Sequence, residues 1–350
     1  MAAIKGAGSG ARPRAVDLFC GSGAVTTGLA EAFEIVAAVD QDPLACRTYA
    51  ANHPNVRLFE RDIRKLRPQE ILKEVPSAAG ADLMVVCAPC QPFSNQNRNK
   101  ADDPRAALVL QAARFARALR PRGILFENVP GLVGAVGVHD DLTKALRRVG
   151  YVVGAPRRIN AADMGVPQRR IRCVMFAARS AEAVAVFDAA ELSTGRRTVA
   201  SVIRDLAPLE SGQADPADRL HAARRHSPIA LARLRAIPRD GGSRHSLPAE
   251  LRLRCHENTH GFPDVYGRMA WDDVAPTLTT GCTDVTRGRF AHPEQDRAIT
   301  LREAALLQTF PRDYEFHGSF KDVATQIGNA VPVEMVRAMV PAITKALSLG

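Results

Sequence analysis

Short apolar runs alternate with stretches of helical periodicity through the first half of the chain. Val16-Asp-Leu-Phe19 reads as a strand, followed by a glycine turn and a helix over 26–33. A second strand over 35–39 ends at Asp40, and 43–52 reads as the helix after it. A third run, 56–59, ends near Asp62, and a fourth occupies 82–88. Residues 106–119 place Leu108, Ala112, Phe115, Ala116 and Leu119 at helical spacing, and Pro121-Arg-Gly closes that helix before a fifth strand at 123–126. This alternation predicts an α/β fold with an open, doubly wound, mostly parallel sheet. Ligands of such sheets sit outside the carboxyl ends of the strands. Asp17, Asp40, Asp62, Cys90 and Glu127 all fall at or near those ends.

Beyond about residue 180 the pattern breaks into short irregular runs rich in Arg, Pro and Gly, which reads as a second, smaller domain. Residues 300–310 then predict a helix with Thr300 as N-cap and Glu303 completing a capping box, and 332–347 predict another. The expected division is a catalytic and cofactor-binding domain over 14–180, completed by 312–350, and a target-recognition domain with its hinge over 181–311. The first fourteen residues are Gly/Ala-rich and basic and read as a frayed tail. No run of 18 uncharged apolar residues occurs, and seven scattered cysteines make no disulfide framework, so a cytoplasmic setting is expected.

The chain of 350 residues carries a formal charge of +10. Nine arginines lie between Arg219 and Arg254 against two acids, Asp240 and Glu250, a surplus of seven charges with no lysine and no aromatic residue. A guanidinium fork can engage a phosphate or a guanine edge bidentately, so a polyanionic partner fits; a solvated face is the plainer alternative.

Three constellations carry chemistry. Asp17-Leu-Phe-Cys-Gly-Ser-Gly23 follows a strand and opens a helix, and Asp40 comes about twenty residues later, where an acid can bind ribose hydroxyls. Its Gly-x-Gly-x-x-x-x-Gly spacing suits a single adenosine-bearing cofactor better than a dinucleotide. Pro89-Cys-Gln-Pro-Phe-Ser94 holds a cysteine in a proline-bracketed loop at a strand end, with Glu127 behind the next apolar run. A thiolate with a carboxyl group to supply a proton suits covalent addition to an electron-poor ring. Cys87-Ala-Pro-Cys90 is also a Cys-x-x-Cys, but Pro92 and the polar stretch after Ser94 do not open the amphipathic helix of a redox motif. In Gln168-Arg-Arg-Ile-Arg172, strand alternation puts Arg170 and Arg172 on one face, where an anionic or carbonyl partner is expected. Cys255, His256 and His260 lack a second cysteine pair, so no metal site is assigned.

Together these residues resemble the DNA (cytosine-5)-methyltransferase family over about residues 14–178 and 276–333, with Gln326-Ile-Gly-Asn-Ala-Val-Pro332 matching its closing motif. The resemblance implies a Rossmann-like S-adenosylmethionine-dependent methyltransferase sheet, with S-adenosylhomocysteine as product. It implies cofactor contacts at Phe19, Gly21, Gly23, Asp40, Gln41, Asp62, Ile63, Pro89, Leu108, Asn329 and Val331. It implies Cys90 as nucleophile, Glu127 as acid and Arg172 as the residue orienting it, with Gln91, Ser94 and Arg170 at the substrate. Gln41 stands where the family often has an aromatic residue, and Ala88 where it has a proline. The implied substrate is cytosine flipped from double-stranded DNA by a monomer, with a restriction endonuclease as a separate partner. A transfer-RNA methyltransferase and a non-catalytic DNA-binding protein on the same scaffold are the alternatives.

Overall fold

The computed structural model describes residues 11–89, 108–132, 137–253 and 264–349. The expected alternation is present: β1 (Arg14–Leu18), α1 (Ala24–Leu29), β2 (Glu34–Asp40), α2 (Pro43–Asn52), β3 (Arg57–Glu60), α3 (Pro68–Glu74), β4 (Leu83–Val86), α4 (Gln111–Leu119) and β5 (Gly123–Asn128). These five strands pair in parallel in the order β3-β2-β1-β4-β5, so the chain reverses its direction of travel between β1 and β4. Such a reversal opens a crevice at the strand ends. Helix α1 is shorter than its periodicity suggests. It stops at Leu29, and the following turn, with Phe33 N–H still bonded to the Leu29 carbonyl, swings the chain into β2.

Both faces of the sheet are covered, which is why its strands are apolar throughout. Met84 and Val86 face a core built with Ile71, Phe115, Leu142 and Leu146, from α3, α4 and α5 (Val138–Arg148). Leu83 and Val85 face the opposite core, with Leu29, Phe187, Met339 and Ile343.

The sheet continues with β6 (Val152–Val153), β7 (Arg157–Asn160) and β8 (Ile171–Ala178). β8 runs antiparallel to β5 and pairs with β6 and β7 on its other side, so it is an interior strand and not a solvated edge. Helix α6 (Ala181–Ala189) packs on the sheet, with Phe187 stacked 4.7 Å from Phe176, so the sheet layer runs past residue 180.

Among the described residues beyond α6 regular structure is sparse. It comprises α7 (Ala200–Ile203), α8 (Pro228–Ala236), α9 (Leu301–Leu307), α10 (Phe320–Asn329) and α11 (Val333–Leu347), joined by turns and short 3₁₀ segments. One core joins Val199, Trp271, Leu278 and Phe290 to α9 and α10, and a small one gathers Leu234, Ile237, Tyr266 and Val285. None of the described helices is long and apolar enough to cross a membrane.

Where sheets are missing, buried arginines supply the hydrogen bonds. Arg268, fully buried, donates to the carbonyls of Leu234, Ile237, His292 and Gln295 and pairs with Asp296. Arg297, also fully buried, grips both oxygens of Glu303 at 2.7 Å. Glu303 completes the expected capping box with Thr300. Burial works against its ionisation, yet the Arg297 hydrogen bonds overcome this and hold its carboxyl at about 2, below the ordinary 4.5. Burial pushes the neighbouring His292 down to about 4 from 6.5. Its Nδ1 accepts from the Glu294 and Gln295 amides, so the neutral ring carries its proton on Nε2.

Both groups have depressed folded-state values, so both stabilise the fold when deprotonated. The His292 contribution is complete above pH 6.5 and lost as pH falls toward 4, and that of Glu303 is complete above 4.5 and lost toward 2. Glu303→Ala leaves Arg297 buried without its carboxylate and should cost ~3–5 kcal/mol. Denaturant unfolding should show that loss at pH 7 together with a flatter acid limb; an unchanged midpoint would refute the role given to this pair.

Candidate active site

The turn after β1 is held in a strained shape. Phe19 and Gly21 have φ of 63° and 51°, the first unusual for a residue with a side chain. What holds the turn is Asp40 at the end of β2: its Oδ2 accepts from the Gly21 amide at 2.8 Å and its Oδ1 from the Asp42 amide at 2.9 Å. Asp42 in turn caps α2 by accepting from Leu44 and Ala45. Burial raises the Asp40 carboxyl above its usual range, and the backbone amides oppose that rise.

Asp17, one residue before the strand end, is buried, and its Oδ2 accepts from the Thr26 hydroxyl at 2.9 Å. Burial pushes its carboxyl up to about 7. It braces the turn from beneath and does not face the cleft.

Along the carboxyl ends of β1, β2 and β4 lies a cleft of about 460 Å³, within the usual range for a small-molecule site. Ten of the eleven residues expected to contact a cofactor line it: Phe19, Gly21, Asp40, Gln41, Asp62, Ile63, Pro89, Leu108, Asn329 and Val331. Gly23 does not. It has φ of 94°, and a Cβ there would come within 2.7 Å of His53 and of the Tyr314 hydroxyl, so this glycine serves close packing behind the wall.

Sequence reasoning missed part of the lining. Asp322, Thr325 and Gln326 join Asn329 on one face of α10, and Arg61 and Arg64 stand near Asp62. The signal for α10 was the capping box of Ser319 and Asp322, followed by polar residues at helical spacing. Asp62 is engaged by Arg64 in a forked pair, with Nη2 to Oδ2 at 2.7 Å, which lowers the Asp62 carboxyl.

Glu127 lines the cleft from β5, the strand adjoining the one that leads into residue 89. It follows directly after the last β4–β5 pair, Val86 with Phe126. Because β8 is antiparallel, Glu127 faces Val174, and Arg172 stands diagonally on the same side. Arg172 Nε lies 3.0 Å from Glu127 Oε1, with both side chains about nine-tenths buried. Burial raises the Glu127 carboxyl, and the charge of Arg172 only partly offsets it. This is the environment of a carboxylic acid that holds its proton more tightly than an exposed one does. Asn128, next along β5, donates from Nδ2 to the Ala88 carbonyl at 3.1 Å and so ties the root of the cysteine-bearing loop to the strand of the acid.

Arg170 departs from expectation. It does not line the cleft with Arg172 but is buried, donating to the carbonyls of Leu278, Gly328 and Ala330. A buried guanidinium needs acceptors, and the carbonyl partner anticipated for this strand face is what it finds. Cys90, Gln91 and Ser94 lie outside the described residues, as do Cys255, His256 and His260.

A doubly wound sheet with a cleft at its switch point and a buried acid lining it is the frame of an enzyme that binds a small-molecule cofactor, and comparison with known proteins specifies which. The C-5 cytosine-specific DNA methylase family matches residues 14–345. The chain belongs to this family of DNA (cytosine-5) methyltransferases, whose methylation of cytosine depends on S-adenosylmethionine. It is 39% identical to the Type II methylase M.HgiDII of Herpetosiphon aurantiacus, over 95% of each chain. It is 33% identical to the Type II methyltransferase M.XorII of Xanthomonas oryzae pv. oryzae, over 96% of this chain and 85% of the other. Among solved structures it resembles one titled as a prophage-encoded DNA modification methyltransferase of E. coli, with a TM-score of 0.74, 22% identity and coverage of 96% and 99%. A methyltransferase from Entamoeba histolytica shares the fold, with a TM-score of 0.67 at 15% identity and coverage of 97% and 100%.

The Tyr314 hydroxyl donates to the Ser22 carbonyl, on the back of the glycine turn that lines the cleft. Tyr314→Phe removes that donor and should weaken S-adenosylhomocysteine binding by roughly fivefold or more, the scale of one lost hydrogen bond to a buried acceptor. Isothermal titration calorimetry checks this, and wild-type affinity would show that the turn does not depend on Tyr314.

Proposed function

We propose that this protein methylates C5 of a cytosine flipped out of a specific duplex DNA sequence, through a transient bond between Cys90 and C6. The observation that carries the reading is Glu127: a buried carboxyl with a raised affinity for its proton, touching Arg172 and lining the cleft from the strand adjoining the one that leads into residue 89.

C5 of cytosine is a weak nucleophile and is out of reach inside a duplex, so the base must leave the stack. The Cys90 thiolate would add to C6. Glu127, holding its proton, would donate to N3 and stabilise the developing enamine, while Arg172 holds the acid in place and reaches the base O2. Gln91 and Ser94 belong to the same loop and would contact the extruded nucleotide. Once C5 carries the methyl group, loss of its proton to water, expulsion of the Cys90 thiolate and return of the N3 proton to Glu127 would restore the aromatic ring.

S-adenosylmethionine, when bound, supplies the electrophilic methyl group. The residues present fit it. Asp40 and Asp62 offer carboxylates at the ends of strands β2 and β3, Phe19, Ile63, Leu108 and Val331 offer apolar walls, and Pro89 and Asn329 complete the lining. Asp62 would exchange its Arg64 partner for the adenine.

The irregular region around the small core of Leu234, Ile237, Tyr266 and Val285 would read the DNA sequence. We assign the catalytic domain to the sheet layer with α10 and α11, and the recognition domain to the segment between α6 and α9. The relatives' designation as Type II enzymes supports a role in modification beside a separately acting restriction endonuclease.

Duplex DNA carrying 5-fluorocytosine tests the mechanism, since fluorine cannot leave as a proton does. In the presence of S-adenosylmethionine, wild-type protein should form a denaturation-resistant adduct, and Cys90→Ser should form none while still binding cofactor. An adduct in that variant would remove the proposed nucleophile. Glu127→Gln should slow turnover by at least about 10²-fold, the scale of general acid–base assistance. A near-normal rate in radiolabelled methyl transfer would refute its role, and transfer to RNA but not to duplex DNA would move the assignment to the other polymer.

A further inference from the structure

Gln168, Arg170 and Arg172 alternate along the lead-in to β8, and each holds something different. Arg172 meets the acid Glu127. Arg170 Nη1 donates to the Leu278 carbonyl at 2.9 Å, while its Nη2 donates to the Gly328 carbonyl at 3.0 Å and the Ala330 carbonyl at 3.1 Å. Gln168 accepts from the Leu278 amide at 3.0 Å and donates to Gln308 Oε1 at 2.9 Å, and Gln308 in turn donates to the Ile327 carbonyl at 2.6 Å. One guanidinium therefore bolts two segments together. One is the end of α10 and the turn after it, 328–331, whose Asn329 and Val331 line the cofactor cleft. The other is the chain at Leu278–Thr280, which leads into the irregular region.

The same two segments touch directly. Gly328 lies inside α10, yet a Cβ there would come within 2.5 Å of the Thr280 amide nitrogen and closer still to the Thr279 carbonyl carbon. Glycine is disfavoured inside a helix relative to alanine. Backbone approach, not helix formation, explains its presence here.

We infer that Arg170 and Gly328 form a mechanical joint between the cofactor turn and the recognition region, so that cofactor occupancy and DNA binding are energetically coupled through them. Arg170 is a positioning residue in this scheme. The inference rests on the cofactor and DNA reading proposed above and deepens it. A cofactor that orders the 328–331 turn also fixes Leu278–Thr280, and DNA that fixes Leu278–Thr280 presents an ordered turn to the cofactor. Linkage requires the two effects to be equal.

The test uses full-length protein, S-adenosylhomocysteine and a fluorescein-labelled duplex selected from a random-sequence pool by the wild-type protein. For wild type, saturating S-adenosylhomocysteine should tighten duplex binding by about tenfold, within the usual range of coupling. Arg170→Lys cannot reach three carbonyls from one planar group, and Gly328→Ala forces the segments apart without touching charge or helix propensity adversely. In both, the tightening should fall to about twofold or less, whatever the change in affinity for each ligand alone. Gly328→Ala keeps the test available if Arg170→Lys unfolds, as thermal denaturation would reveal. A merely structural role would lower the melting temperature and both separate affinities but leave the tightening ratio intact, and that result would overturn the joint. So would a wild-type ratio of one when both ligands bind. Failure of S-adenosylhomocysteine to bind the wild type at all would instead overturn the cofactor reading, and this inference with it.

Discussion

Glu127 and Arg172 meet at 3.0 Å where water scarcely reaches either, and the cleft is organised around the tension between them. Burial favours the protonated acid, and the adjacent guanidinium favours the carboxylate; the first is stronger here. An acid in a wholly apolar pocket would hold its proton too tightly to share it, and one fully paired with arginine would have none to offer. The pairing itself depends on topology. Because β8 runs antiparallel to β5, the residues at its start, 168–172, arrive at the carboxyl edge of the parallel strands. A parallel strand in that place would deliver them to the opposite edge, far from Glu127.

The glycine turn after β1 shows a second compromise. Phe19 accepts a left-handed conformation, and Asp40 gives up both carboxylate oxygens to the amides of Gly21 and Asp42. That arrangement keeps the wall of the cleft in shape before any ligand arrives, so less ordering remains to be done on binding. Asp17 beneath and Tyr314 behind support the same turn from different parts of the chain.

What could be read in the sequence follows from how locally each feature is encoded. Strands β1 to β5 and helix α2 were legible because apolar runs, an N-cap at Asp42 and Pro43 at the first helical position are local signals. The helix at Thr300 was legible through its capping box for the same reason. Helix α6 was not, since Ala181–Ala189 is apolar on nearly every side and carries no clear stripe. β6 and β7 are too short to show alternation. In the site, the cleft residues were legible through motif resemblance, whereas the divergent fates of Arg170 and Arg172 were not. Alternation puts both on one face, but only the tertiary contacts at Leu278 and Gly328 decide which reaches the acid.

The arginines of residues 219–254 show where charge reasoning holds and where it stops. Several, exposed or half-buried, bond to partners within the chain: Arg219 to the Phe316 carbonyl, Arg233 to the Leu251 carbonyl, Arg252 to the Leu247 carbonyl, Arg239 to Asp296. A region with few ladders leaves many carbonyls to satisfy, and a side chain with five N–H donors suits that task. As placed, those guanidiniums spend part of their donor fork within the chain. Yet a carbonyl is neutral, so capping it consumes hydrogen-bond donors and leaves the charge in place. The surplus of seven counted along this segment is reduced only where an aspartate is recruited from outside it, as Asp296 and Asp284 are. The region therefore keeps a positive field of the kind that draws a phosphate backbone whatever its sequence.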